Sequence, residues 1–405
     1  MNNKAQENKW FILKEDKEEK KLRINIYQIF TRLFGNKVRK NITYGTLEEN
    51  GTGKFNDITE TALQEIKKLG ITHIWYTGVI EHALLTDYTK HNIPLDDADV
   101  VKGRAGSPYA IKDYFDVNPD LAVIVENRMQ EFEDLVKRTH VQHLKVLIDF
   151  VPNHVARLYK SDVKPKDIED FGEGDDSTLE FHPDNNFYYL VGHKFEVPEN
   201  YEPLGKHPFI NKDGYFEEYP AKATGNDRYT HKPEINDWFE TVKLNYGINY
   251  KFNSKHFHPI PSTWKKMRDI LIYWIQKDVD GFRCDMAEMV PVEFWNWVIP
   301  EVKKIKPDVI FIAEIYNPLQ YHNYIFQAKS DFLYDKVQLY DTLRNIITGQ
   351  DNTDQITQIW QFLRGINKNM LRFLENHDEQ RIASNFFAQD PFKAIPAMAV
   401  AAFLY

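Results

Sequence analysis

One cysteine, Cys284, stands among 405 residues, so neither an intramolecular disulfide nor a cysteine-built zinc cage can form. Long apolar runs are missing as well. No window of about eighteen uninterrupted apolar residues occurs. The first twenty residues, MNNKAQENKWFILKEDKEEK, are charged throughout and lack the apolar core of a signal peptide. The chain as written therefore reads as soluble and cytoplasmic, or as periplasmic or secreted where a signal has been removed. Basic charge is not in excess: 51 Lys and Arg face 60 Asp and Glu, a net of −9. That balance gives no electrostatic footprint for nucleic acid or an anionic membrane, and an uncharged substrate fits best. A Gly-rich phosphate turn is also lacking. The first apolar run leads into TRLFGNK, which carries no dinucleotide fingerprint.

What is present is the composition of a globular chain with a large core, 42% hydrophobic and 27% charged, with aromatics at 14% to thicken that core or line grooves. Short apolar runs predict strands at 22–29, 72–76, 145–150, 281–284, 309–313, 331–333 and 370–374. Helical patterns lie between them. Residues 58–69 carry Ile58, Leu63, Ile66 and Leu69 near helical spacing with Gly70 as a stop, and Trp264, Met267, Leu271 and Trp274 share one helix face. The alternation predicts an α/β chain of TIM (β/α)8-barrel type, with a doubly wound open sheet as the alternative on pattern alone. Residues 155–265 break the rhythm. They are too long for a loop and too aromatic for disorder, and are read as a subdomain inserted after the third strand. The division expected is a charged lead-in at 1–20, barrel strands one to three in 21–154, the insertion at 155–265, and strands four to seven in 266–405.

Both α/β architectures place their sites at the carboxyl ends of strands. Polar groups collect at four of these ends: Asp149, Asn153 and His154 in LIDFVPNH; Arg283 and Asp285 in DGFRCD; Glu314 in FIAE; and Asn376, His377, Asp378 and Glu379 in FLENHDEQR. Arg283 and Asp285 lie two apart on a strand and face the same way, which turns Cys284 outward as a packed small hydrophobe. Asp285 and Glu314 end successive strands. If those strands are neighbours, the inter-strand spacing of about 4.7–4.9 Å sets two carboxyl groups near the 5–5.5 Å that a retaining glycosidase uses. Any one of these residues alone would more commonly cap a helix or join a surface ion pair. Together they mark a site. Arg283 beside Asp285 disfavours a catalytic metal, because its fixed positive charge stands where the cation would be. With Asp149 it forms a lattice expected to keep Asp285 ionised.

DFVPNH, GFRCD, IAE and FLENHDE resemble, in order, the four motifs of the α-amylase family of retaining glycoside hydrolases and transglycosylases, and GSPYAIKDY resembles the segment that presents a tyrosine, here Tyr109, to the reacting sugar. The resemblance implies Asp285 as nucleophile, Glu314 as general acid/base and Asp378 as a third carboxylate gripping sugar hydroxyls. It implies His154 and His377 as hydrogen-bonding residues around the same ring. Its implied substrate is an α-glucan or maltooligosaccharide. Its chemistry needs no cofactor, and it implies a structural calcium at Asn153 with Asp227 as partner, although Asn and Asp in such loops also serve as turn formers. A transglycosylase and a non-catalytic carbohydrate-binding relative are the alternatives. Where many α-amylases follow the nucleophile with Lys-His, this chain has Glu288 and Met289, which puts endo-acting starch hydrolysis in doubt. No eighth strand and no C-terminal β-domain follow the seventh strand. The expectation is therefore a longer gene product, an open edge between strands one and seven, and residues 1–405 alone inactive or nearly so and prone to associate through that edge.

Overall fold

The computed structural model describes residues 23–404. Seven parallel strands form its main sheet: β1 Ile26–Phe30, β2 His73–Thr77, β3 Lys145–Phe150, β4 Gly281–Cys284, β5 Ile310–Ala313, β6 Phe332–Tyr334 and β7 Met370–Leu371. Their spatial order is their chain order. This requires a crossover between each pair, and most of the crossovers are helical. Helices α1 Glu60–Lys68, α2 Arg128–Val141, α3 Ser262–Gln276 and α4 Val292–Ile305 precede β2 to β5 in turn. Short helical turns join β5 to β6, α5 Asp341–Ile347 and α6 Asp354–Phe362 join β6 to β7, and α7 Ile395–Phe403 follows β7.

Sequence chemistry accounts for the main helices. Thr59 caps α1 by accepting the Ala62 N–H, and Leu63 and Ile66 are buried one turn apart. On α3 the aromatic stripe is buried as expected, with the Trp264 ring edge-on to Phe294 of α4 at 5.6 Å and the Trp274 indole N–H bonded to the Tyr114 carbonyl at 2.9 Å. Cys284 is fully buried in the apolar layer between sheet and helices.

As expected from seven strands, the barrel does not close. Among the described residues β1 pairs only with β2 and β7 only with β6, so the sheet is a curled open array. The seventh strand is shorter than expected, because three-residue β6 offers β7 only two partners, after which Phe373 leaves the ladder to stack on Tyr340. Helix α3 begins at Ser262, inside the stretch assigned to the insertion. The charged lead-in and Leu22, the first residue of the expected first strand, lie outside the described residues.

The insertion is ordered. It pairs His154–Ala156 with Thr241–Lys243, Tyr189–Leu190 with Ala221–Lys222, and Ile248–Asn249 with Ser254–Lys255, all antiparallel. It packs a small core of Phe195, Phe216, Ala221 and Phe239 with Val100. Arg157 is buried there against Glu218 at 2.6 Å and over the Phe195 ring at 3.8 Å. A hairpin that the strand reading missed, Ile80–His82 with Ile111–Val117, carries the segment containing Tyr109. No helix among the described residues is long and apolar enough to cross a membrane.

Candidate active site

The carboxyl ends of β3, β4 and β5 are in register. Arg283 lies opposite Asp149 on one side and Ile312 on the other, and the ladder continues past the strand ends, with the Asp285 N–H on the Phe150 carbonyl at 2.8 Å and the Glu314 N–H on the Cys284 carbonyl at 3.1 Å. Asp285 and Glu314 therefore stand on neighbouring strands at one level. Residue Met286 then turns back at φ 43°, a left-handed conformation unusual for a non-glycine residue, and its N–H bonds Glu314 Oε2 at 2.8 Å.

Arg283 organises the site. One guanidinium nitrogen reaches Asp285 Oδ1 at 2.6 Å and the other Glu314 Oε1 at 2.7 Å, while Asp149 and Asp378 each lie 3.9 Å away. Its Nε donates to the Tyr334 hydroxyl at 3.0 Å, and the rings of Trp75, Tyr109 and Tyr334 lie 5.4–5.5 Å from its central carbon. Arg283, Asp149, Asp285 and Glu314 are all buried. The Asp378 side chain is 45% exposed.

Burial decides how Asp285 titrates. Loss of hydration, reinforced by the nearby Glu314 and Asp149, pushes its carboxyl up to about 7 against the opposing pull of Arg283. Arg283 thus favours the ionised form of Asp285, as expected of the lattice, while desolvation opposes it. Burial likewise lifts Asp149 to about 6, with Arg283 again opposing. It raises Asp378 as well.

His377 is held neutral, its pKa brought down to about 3 by burial and then by Arg283. Its Nδ1 faces the Gln28 amide nitrogen at 2.9 Å, and an amide N–H there leaves Nε2 to carry the proton toward the Tyr109 hydroxyl. The Tyr109 and His377 rings stack at 5.5 Å. Gln28 lies on β1 and His377 follows β7, so this contact spans the open edge of the sheet. Tyr109 is placed by the turn at Gly106, where a side-chain Cβ would lie 1.7 Å from the Ala83 carbonyl oxygen. His154 is buried and brought down to about 3 by burial and then by Lys243. Its ring bonds the Asn153 amide at 3.0 Å and packs on Trp238, without a hydrogen bond to the carboxylates.

Asn153 and Asp227 are brought together, but around an ammonium group. Lys243 Nζ lies 2.8 Å from Asp227 Oδ1 and donates to Asn153 Oδ1. The oxygens proposed as calcium ligands already hold a fixed cation, and the residues present do not fit a calcium ion there. A separate acidic group, Glu81, Asp113 and Asp162, has carboxylate oxygens within 4.8 Å of one another. Burial and like-charge neighbours push Glu81 well up.

The sequence reading missed several residues that shape the site. Tyr334 ends β6, and Tyr316, two residues beyond Glu314, bonds Glu314 Oε1 at 2.8 Å. Glu288 accepts the N–H groups of Tyr316 and Asn317, each at 3.0 Å, and so ties the loop after β4 to the loop after β5. Period-two spacing from Glu314 was the one available signal for Tyr316.

Comparison with known proteins decides the family. The model of the alpha-amylase catalytic domain matches residues 28–405. The chain belongs to the alpha-amylase family. It is 24% identical over 291 residues to alpha-amylase 3 of Dictyoglomus thermophilum, covering 69% of this chain and 47% of that protein. It is 21% identical over 268 residues to the alpha-1,4-glucan:maltose-1-phosphate maltosyltransferase of Picrophilus torridus, covering 65% of this chain and 31% of that one. The chain thus spans about half or less of the length of these relatives. Among solved structures, an alpha-amylase from Lactobacillus plantarum shares the fold at TM-score 0.56 and 23% identity, with 88% of this chain and 63% of that one covered. The cyclic alpha-maltosyl-(1→6)-maltose hydrolase of Arthrobacter globiformis does so at TM-score 0.60 and 17% identity, with 93% and 70% covered.

Proposed function

We propose that this alpha-amylase family chain cleaves α-linked glucans or maltooligosaccharides by a retaining double displacement. The observation that carries the reading is the single buried guanidinium of Arg283 bridging Asp285 and Glu314 on adjacent strand ends. Ionised Asp285 attacks the anomeric carbon while Glu314 gives a proton to the departing glycosidic oxygen, so a carboxylate–sugar ester forms as the glycosidic bond breaks. Glu314 then takes a proton from water, whose oxygen displaces Asp285 and restores both carboxyls. Asp378 grips hydroxyls of the distorted ring, with neutral His377 and His154 as hydrogen-bonding partners and Tyr109 as the stacking face.

A sugar hydroxyl in place of water in the second half makes the same site a transglycosylase. Glu288 favours attention to that reading, because it is committed to backbone N–H groups rather than to the leaving part of the glucan. Product analysis on maltooligosaccharides with the full-length gene product tests both. Proton NMR of the first products is expected to show the α-anomer, with glucose equivalents released for hydrolysis or longer oligosaccharides formed for transfer. First products in the β-configuration rule out the double displacement.

A further inference from the structure

We propose that Lys243 is a built-in structural cation, joining the insertion to the nucleophile's loop by the contacts that a calcium ion would otherwise make, so that this chain needs no metal there. The inference stands apart from the catalytic reading, since it concerns what holds the loops and is read by unfolding.

The ammonium has three N–H donors and finds three oxygens: Asn153 Oδ1 after β3, Asp227 Oδ1 at 2.8 Å in the insertion, and the Met289 carbonyl at 3.3 Å after β4. The Lys243 side chain is 1% exposed. Its position is fixed by its own backbone, which pairs with His154 and donates to the Ala223 carbonyl at 2.9 Å, and Asn153 is fixed by donating to the Gly225 carbonyl at 2.8 Å. The charges also balance. One ammonium meets one carboxylate, whereas a divalent ion prefers six to eight oxygens and several carboxylates, and would be repelled by a lysine a few ångströms away. Three segments distant in sequence converge on one positive charge, and Met289 lies four residues beyond Asp285. Lys243 is therefore a positioning residue for the nucleophile's loop.

If Lys243 replaces a metal, its removal should leave the oxygens of a weak calcium site. The experiment compares thermal unfolding of the wild type, Lys243→Ala and Asp227→Ala in EDTA and in calcium at about 1 mM, the range of weak protein sites. The wild-type midpoint is expected to be the same in both. The Lys243→Ala midpoint is expected to fall by roughly 5–10 °C in EDTA, as for a buried charge stripped of its partner, and to recover in part with calcium. A Lys243→Ala midpoint that calcium leaves unmoved overturns the cation-for-cation reading. So does a wild-type midpoint that drops in EDTA and loses that sensitivity in Asp227→Ala. Should Lys243→Ala fail to fold in EDTA, Lys243→Met keeps the stem packing and carries the same calcium test, folding in calcium being the supporting result and indifference to it the opposing one.

Discussion

Strand β4 carries an aspartate at each end, Asp280 before it and Asp285 after it, equally buried at 5% and 6% exposure and driven in opposite directions. Burial opposes ionisation of both. At Asp280 it is overcome by His140 at 2.7 Å, the Val146 N–H at 2.9 Å, Lys145 at 3.0 Å and Lys306 at 3.2 Å, which hold the carboxyl well below its usual range. At Asp285 a single guanidinium is shared with Glu314, and two more carboxylates crowd the same space, so the carboxyl is pushed up. The contrast teaches that donors per carboxylate, rather than burial, set which way a buried aspartate is driven. It also fits the division of labour between the amino and carboxyl ends of barrel strands.

Replacing each aspartate in turn tests that division most severely. Asp285→Asn is expected to lower kcat by about 10⁴-fold or more while leaving the fold intact. Asp280→Asn is expected to cost about 2–4 kcal/mol of stability and to change kcat by only a few-fold below its unfolding range. Steady-state kinetics and denaturant unfolding on both variants would break the comparison if the losses came out exchanged.

Arg283→Ala sharpens the view of the carboxyl end. Because Arg283 pulls the Asp285 carboxyl down against burial, its loss should raise that carboxyl further, move the acid limb of kcat/KM to higher pH and reduce turnover by roughly 10²-fold. An acid limb that stays in place contradicts the role given to the guanidinium.

The two ends should also respond oppositely to pH. A carboxyl raised to about 7 stabilises the fold fully below its unfolded value near 4, and that contribution is lost as pH rises through 7. A carboxyl held low stabilises above about 4 and loses its contribution as pH falls. Urea midpoints measured from pH 3 to 8 should therefore decline less toward pH 8 in Asp285→Asn, and less toward pH 3 in Asp280→Asn, than in the wild type.

The smallest effect is expected at Met286. Glycine adopts its left-handed backbone without strain, so Met286→Gly should change stability by no more than about 1 kcal/mol in either direction, relief of strain offsetting added chain entropy. Its turnover should fall several-fold because the N–H that positions Glu314 is less firmly held. Full activity would show that the turn at Met286 does not position the acid.

These contrasts were partly visible in the amino-acid order. The apolar runs at 145–150 and 281–284 mark strands buried on both faces, and a period of two placed Arg283 and Asp285 inward and Cys284 outward, as the structure has them. Adjacency of Asp285 and Glu314 rested on the condition that their strands are neighbours, and the strands do pair. The contacts of Lys243, Glu288 and Gln28 were illegible for a shared reason: each reaches residues far away in sequence, which no local pattern encodes. The charged neighbours of Asp285 were visible in sequence, but its desolvation was not. The open edge between the first and last strands was legible from the count of seven, one short of a closed barrel.

The central claim is that Asp285 forms the covalent bond to sugar. In the full-length Glu314→Gln variant, incubation with an activated α-glucosyl fluoride followed by mass spectrometry of the proteolysed protein is expected to find one glycosylated peptide, with the added sugar on Asp285. A sugar attached to Asp149, Asp378 or any residue other than Asp285 would contradict the account.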